Sequence, residues 1–190
     1  MGGTGRPPPS AGAGRVGRQA VELSPKQRFT LSASPIEWAG CADELKHAAD
    51  LLHKQARDGL IGWIDHAGHI QSKSHVSRAY ILLAGFALEN VLKGLIVLAN
   101  PQYVSSGELD PRLKSHKLID LSRQVKGVVL SPAEEHLCAI AQEATPYWGR
   151  YPVPVKAEEL KEEQFLRTGF HETFLGLYYR LRHLLESGIT

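Results

Sequence analysis

Cysteine is scarce in this chain, which has two in 190 residues, Cys41 and Cys138. Two thiols so far apart exclude the disulfide framework of a small secreted protein and a four-cysteine zinc site. Both fall on or beside expected apolar helix faces, so we interpret them as small core residues rather than nucleophiles. Walker, Gly-x-Gly-x-x-Gly, His-Glu-x-x-His and Gly-x-Ser-x-Gly motifs are also absent from the sequence, which removes several common enzyme classes.

A large net charge is also lacking, since 22 Lys and Arg residues against 20 Asp and Glu residues leave +2. This balance is not typical of proteins that coat nucleic acid. Residues 1–18 hold six Gly, three Pro, three Arg and no acid, so this segment carries +3 and the remainder −1. Because residues 1–35 have too few apolar side chains to offset ordering entropy, we expect a disordered tail and linker, with one domain at 36–187. The tail is either a loose terminus or a weak electrostatic arm.

The sequence has no long hydrophobic run free of charge. Residues 74–99 are the most apolar, but Glu89 and Lys93 lie in the middle, and each would cost roughly 2.5–3.5 kcal/mol at a bilayer centre. Four residues apart, they match an ion pair on one helix face, so we predict a buried central helix and no membrane span. Residues 1–18 lack the apolar region of a signal peptide, and we therefore expect a cytoplasmic protein.

Helical periodicity is what the chain does contain. Apolar residues spaced by three and four predict helices starting at residue 35, at 74, near 117, at 132 and between 158 and 163. Ser131 and Glu134 form a capping-box sequence, and the last helix is expected to bury Leu181 and Leu184. Residues 59–73 suggest either a small hairpin or an ordered loop. The predicted fold class is all-α, a bundle of four to five helices.

Three histidines cluster in that weakly patterned segment. His66, His69 and His75 lie within ten residues and Asp65 is adjacent, so the group could bind a transition metal. A solvated loop explains the same residues, because His-x-x-His without defined geometry is a weak signal. The predicted site residues therefore include no metal ligand, and no cofactor is expected.

Arg-x-x-x-His occurs twice, as Arg112/His116 and as Arg167/His171. On one helix, a spacing of four would place both side chains on the same face. A histidine can move the 2′-hydroxyl proton of RNA while an arginine stabilises charge on the phosphorus, which yields a 2′,3′-cyclic phosphate without a metal ion. The alternative is that His116 caps a helix start and His171 is a partly buried polar residue.

A loop between two expected helices combines three aromatic residues with an arginine: Tyr147, Trp148, Arg150 and Tyr151. Aromatic faces and a guanidinium suit nucleobase stacking or cation–π binding. The same rings could instead fill the end of the bundle.

Two strings together resemble a known family. Residues 87–94 read Ala-Leu-Glu-Asn-Val-Leu-Lys-Gly, and residues 115–121 read Ser-His-Lys-Leu-Ile-Asp-Leu. With a later Arg-Tyr-Pro before a terminal helix, they resemble the HEPN superfamily of small prokaryotic helical domains, over roughly residues 36–187.

The resemblance implies a four- to five-helix bundle that is often dimeric and occurs in toxin–antitoxin, phage-defence and RNA-processing systems. Active members are metal-independent endoribonucleases with an Arg-x(4–6)-His motif near the last long helix. The gap between Arg167 and His171 is one residue shorter than that motif, and inactive, binding-only relatives form a class of their own. We expect a homodimer, with RNA or a protein encoded nearby as further partners.

If the chain cleaves RNA, His171 is the predicted general acid/base and Arg167 the phosphate stabiliser. Tyr147, Trp148, Arg150, Tyr151, Arg112 and His116 are the predicted nucleotide- or RNA-binding residues. Glu89 and Lys93 are assigned to structure, as a pair that orients the loop around His116. Two alternatives stay open: a non-enzymatic protein–protein interaction module, and a metal-dependent helical enzyme that uses His66, His69 and His75.

Overall fold

The computed structural model describes residues 22–56, 60–65, 67–74, 76–146, 149–151, 156–159 and 169–189. Within these ranges the chain forms six α-helices and one two-stranded sheet, which confirms the all-α class. The helices are α1 (Pro25–Ser32), α2 (Pro35–Gln55), α3 (Ser77–Ala99), α4 (Leu118–Arg123), α5 (Pro132–Ala144) and α6 (Phe170–Ile189). Short 3-10 turns cover Pro101–Tyr103, Pro111–Lys114 and Ala157–Glu159. The predicted tail at 1–18 lies outside the described residues.

Helix α3 is the centre of the fold, and α2, α4, α5 and α6 all pack against it. Its buried side chains run along most of its length and include Tyr80, Leu88 and Ile96. By length and composition α3 could cross a membrane, but 72% of its most apolar window is buried inside the protein. The helix therefore serves as the core of the bundle, because the other helices cover its apolar surface.

Helix α1 occupies a segment expected to be a linker. Ser24 accepts a hydrogen bond from the backbone N–H of Gln27, whose side chain accepts one from the N–H of Ser24. This capping box starts a helix that has too few apolar residues to show a clear helical periodicity in the sequence. Phe29 packs against the core, and the Thr30 hydroxyl donates to the carbonyl of Val104. Residues 25–32 therefore belong to the folded unit, and the linker prediction was wrong for them.

The last helix begins at Phe170, later than the predicted start between residues 158 and 163. Gly169 has φ +85°, in the left-handed region, and a helix cannot continue through that conformation. The buried face includes Leu181 and Leu185, whereas Leu184 is exposed, so the inward prediction for Leu184 was wrong. Residues 160–168 lie outside the described ranges.

The two cysteines differ in burial. Cys138 is buried in the core, as predicted, and burial raises the pKa of its thiol to about 12. Cys41 is exposed, and the buried face of α2 is instead made by three alanines: Ala39, Ala42 and Ala49. Small residues let α2 approach α3 closely, which places their partly buried neighbours Trp38, Leu45 and Leu52 along the seam.

The segment between α2 and α3 forms a hairpin, one of the two predicted alternatives. Strand β1 (Leu60–Ile64) pairs antiparallel with β2 (Ile70–Ser74), and Ile64 lies opposite Ile70 at the turn. The Asp65 carboxylate closes this turn by accepting from the N–H groups of Ala67 and His69.

Gly94 lies at a close crossing of three helices. A Cβ at this position of α3 would lie 3.0 Å from Leu185 Cδ2 on α6 and 3.2 Å from Trp38 Cβ on α2. The absence of a side chain here allows α2 and α6 to approach α3 at the same level.

Candidate functional site

The imidazoles of His53 and His171 meet where α2 and α6 come together. Their ring centroids are 3.6 Å apart and their planes are inclined by 12°, so the rings stack. His53 lies near the end of α2 and His171 in the first turn of α6, and both are partly buried. The fold thus pairs two titratable groups that are distant in sequence.

Tyr80 of α3 holds His171 from the core side. Its hydroxyl oxygen lies 2.8 Å from Nδ1 of His171, and Tyr80 is completely buried. Burial raises the pKa of Tyr80 well above its usual value, so the hydroxyl stays neutral. It can accept from Nδ1–H of His171 or donate to an unprotonated Nδ1, depending on the tautomer of the imidazole. Nε2 of His171 makes no hydrogen bond within the described residues, which leaves this nitrogen able to exchange a proton.

The pKa of His171 is lowered from its ordinary value. Burial is the largest cause, because it disfavours the charged imidazolium, and the neighbouring His53 acts in the same direction. The carboxylates of Asp50 and Glu172 oppose the shift. A histidine that is neutral near pH 7 is suited to accept a proton.

A stripe of polar side chains continues along α2 from this pair. Asp43, Lys46, Asp50 and His53 follow one another at spacings of three, four and three, which places them on one helix face. Lys46 Nζ lies 2.7 Å from Asp50 Oδ2 and donates to the hydroxyl of Tyr179 at 2.7 Å. Asp50 Oδ1 is buried and has no hydrogen-bond partner within the described residues.

An open groove of about 560 Å³ adjoins this stripe between α2 and α6. Its lining residues are Asp43, Lys46, His47, Tyr178, Tyr179, Arg182, His183 and Glu186. Asp43 accepts from the Tyr178 hydroxyl and from Nε and Nη2 of Arg182. Burial alone would raise the pKa of Asp43, but these hydrogen bonds lower it, so the carboxylate stays ionised.

Glu89 and Lys93 form a second polar cluster on α3. Lys93 Nζ lies 2.6 Å from Glu89 Oε1, and both residues are 5% exposed, which confirms the predicted ion pair. Nδ1 of His116 lies 3.0 Å from each Glu89 oxygen. Glu89 therefore contacts both Lys93 on its own helix and His116 in the loop, which agrees with its predicted structural role.

Arg112 and His116 do not share a helix face. Arg112 belongs to the Pro111–Lys114 turn and His116 to the extended segment after it. The Arg112 guanidinium lies 4.9 Å from the ring of Tyr103 and pairs with Asp110, whereas His116 contacts Glu89. Arg112 and His116 therefore do not form one site, although they are only four residues apart in the sequence.

The other predicted residues are described only in part. Arg167, Tyr147, Trp148, His66 and His75 lie outside the described residues. Arg150 and Tyr151 are exposed, with the guanidinium 5.8 Å from the tyrosine ring. His69 lies 3.4 Å from Asp65 on the surface, and no group of three potential metal ligands occurs within the described ranges. Gly169, with φ +85°, directly precedes α6, so His171 lies in the first turn of that helix.

Comparisons with family models, curated proteins and solved structures found no match to this chain.

Sequence reasoning missed His53, Tyr80 and Asp50. The polar stripe of α2 was the available signal, because its spacing matches a helix face beside the apolar one. On α6, His171 and Tyr178 are seven residues apart, which also places these two polar side chains on one helix face. Two such stripes predict a polar seam between helices, but which residues meet across it depends on how the helices pack.

Proposed function

We propose that this chain is a HEPN-like, RNA-cleaving protein of the cytoplasm, in which His53 and His171 carry out metal-independent proton transfer. The stacked histidine pair, fixed by the buried hydroxyl of Tyr80, is the observation that supports this most. The sequence resemblance supplies the reaction class and the expectation of a homodimer.

Stacked imidazoles are suited to acid–base chemistry because a proton on one ring disfavours a second proton on the other. When one ring is neutral and the other is protonated, a general base and a general acid are present together.

The proposed reaction is an in-line displacement at one phosphorus. The neutral imidazole takes the proton of the 2′-hydroxyl while O2′ forms a bond to phosphorus. The bond from phosphorus to O5′ breaks, and the protonated imidazole gives its proton to O5′. The products are a 2′,3′-cyclic phosphate and a 5′-hydroxyl, and the pair returns to its starting state by exchanging protons with water.

The two rings are close enough to act on the same phosphodiester, because their centroids are 3.6 Å apart. In this proposal Nδ1–H of His171 donates to the Tyr80 hydroxyl oxygen, which leaves the lone pair of Nε2 to accept the proton. In this proposal Arg167 keeps its predicted role at the phosphate.

The test is cleavage of single-stranded RNA by the full chain in EDTA. We expect 2′,3′-cyclic phosphate ends, and a loss of about 100-fold or more in His171→Ala and in His53→Ala. His136→Ala is the matched control, since His136 is an exposed histidine on α5. Unchanged cleavage in His171→Ala overturns the assignment.

Two further outcomes would identify the other functions considered from the sequence. RNA binding without cleavage by the unaltered chain would indicate an inactive relative. A stable complex with a protein encoded nearby, with neither RNA binding nor cleavage, would indicate an interaction module. Light scattering on the same sample measures whether the chain is a dimer.

A further inference from the structure

The groove between α2 and α6 lies along the same two helices as the histidine pair. Lys46 lines the groove, and its charge also contributes to the lowered pKa of His171. Tyr179 lies eight residues after His171 on α6, which corresponds to about 12 Å along the helix axis. A nucleic-acid strand held at the histidines would therefore have a neighbouring nucleotide within reach of the groove.

The charges of the groove are already paired within the protein. Arg182 binds Asp43 through Nη2 at 3.1 Å and Glu186 through Nη1 at 3.0 Å. Lys46 is held by Asp50 at 2.7 Å. A phosphate would have to displace a carboxylate from one of these cations, and the carboxylates would repel it. The groove is therefore poorly suited to bind a phosphate group.

Tyr179 lines the groove with an aromatic ring, in contrast to the paired charges around it. The residue is 55% exposed although it is a large aromatic side chain. Lys46 Nζ lies 2.7 Å from its hydroxyl oxygen and 4.8 Å from its ring centroid, so the ammonium sits towards the hydroxyl end. Tyr178 meets the ring at 78°, as an edge contact rather than a stack. The orientation of the ring is thus fixed while much of its surface remains open to solvent.

An uncharged planar ligand matches this arrangement. Nucleobases stack on exposed aromatic rings, and they carry amino and carbonyl groups that can bond to the polar lining. The volume of about 560 Å³ lies in the range of small-molecule sites and is ample for one base.

We propose that this groove is a nucleobase subsite, in which Tyr179 stacks on one base of a single-stranded RNA next to the phosphate at His171. The inference rests on the proposed function for the identity of the strand. In this arrangement the RNA phosphate binds at the histidines and one RNA base binds in the groove.

The experiment measures binding of fluorescently labelled short RNA oligonucleotides by anisotropy, in the His171→Ala background so that no cleavage occurs. We expect Tyr179→Ala to raise the Kd by roughly 5- to 150-fold, the size of one base–aromatic stack. Tyr179→Phe is the matched control, since it keeps the ring and removes only the hydroxyl bond to Lys46. Its Kd should stay within about threefold of the parent value.

A second arm uses oligonucleotides with one abasic position, moved stepwise along the strand. One abasic position should weaken binding to the parent protein while causing no further loss in Tyr179→Ala. Weakening of the same size in both proteins at every position overturns the subsite. Because Tyr179 is on the surface, both variants should keep the parent melting temperature, which a thermal scan verifies.

The outcomes separate this inference from the proposed function. Base-dependent binding through Tyr179 without any cleavage by the unaltered chain would sink the catalytic proposal and leave the subsite standing. Cleavage that requires His171, together with an unchanged Kd in Tyr179→Ala, would support the catalytic proposal and overturn the subsite. A dimer that is lost in Tyr179→Ala, with no effect on RNA binding, would assign the groove to a second copy of the chain and overturn the subsite.

Discussion

Nδ1 of His116 lies 3.0 Å from both carboxylate oxygens of Glu89, a residue that is itself 5% exposed. Lys93 binds the same carboxylate from one helical turn away. A buried negative charge is thus shared by one buried cation and by an imidazole that is 58% exposed. The two partners should contribute unequally to stability, since removing a buried charge partner costs far more than removing an exposed one.

Lys93→Met should destabilise the protein by about 3–5 kcal/mol, because it leaves the Glu89 carboxylate buried without its main partner. His116→Ala should cost less than about 1 kcal/mol. Urea unfolding measures both. The double variant Glu89→Gln/Lys93→Met removes the unpaired charge and should be more stable than Lys93→Met alone. A double variant that is equally unstable would show that the pair matters for packing and not for charge.

Tyr80→Phe tests how His171 is held. Loss of the hydrogen bond to Nδ1 should lower the free energy of unfolding by about 0.5–1.5 kcal/mol. If the bond also fixes His171 for catalysis, RNA cleavage should fall by roughly two- to tenfold. Adding Tyr80→Phe to His171→Ala should then produce no further loss of cleavage. A further loss of cleavage in the double variant would mean that Tyr80 affects cleavage through a group other than His171.

The lowered pKa of His171 makes a contribution to stability that depends on pH. The unfolded chain, with an ordinary value of about 6.5, binds a proton more readily than the folded chain. This contribution is complete above that pH, and it is lost as the pH falls below it and through the lower pKa of the folded chain. His171→Asn should therefore show a smaller drop in melting temperature between pH 8 and pH 5.5 than the parent protein. Equal drops would contradict a lowered pKa in the folded state.

Helix α1 provides a matched pair of substitutions. Phe29 packs against the core, so Phe29→Ala should cost about 1–2 kcal/mol, less than a fully buried phenylalanine would. Leu31 on the same helix is exposed, and Leu31→Ala should change stability by less than about 0.5 kcal/mol. Equal effects measured by urea unfolding would mean that α1 does not dock on the bundle as the structure shows.

Local signals predicted much of the fold. The capping box of Ser131 and Glu134 marked the start of α5, where the structure confirms it, and the spacing of Glu89 and Lys93 predicted their ion pair. The same kind of box at Ser24 and Gln27 went unnoticed, because α1 lacks a continuous apolar face. A capping box therefore predicts a helix when hydrophobic periodicity follows it, as in α5. Without that periodicity, as in α1, the capping box alone does not distinguish a helix from a linker.

The candidate site depended on information that local patterns do not carry. His171 was identified from its spacing to Arg167, which lies outside the described residues. What surrounds His171 instead are His53 from α2 and Tyr80 from α3. Spacing along the chain predicts which residues share a helix face, whereas the partners of His171 are set by how three helices pack together.

Gly94 links the geometry of the histidine pair to a place far along the same helices. It lies against Trp38 and Leu185, near the opposite ends of α2 and α6 from those that carry His53 and His171. An added methyl group at position 94 would crowd Leu185 Cδ2 and Trp38 Cβ, so these neighbours would have to shift. Since the same two helices carry the stacked imidazoles, the packing at Gly94 and the contact between the two rings belong to one helix–helix arrangement.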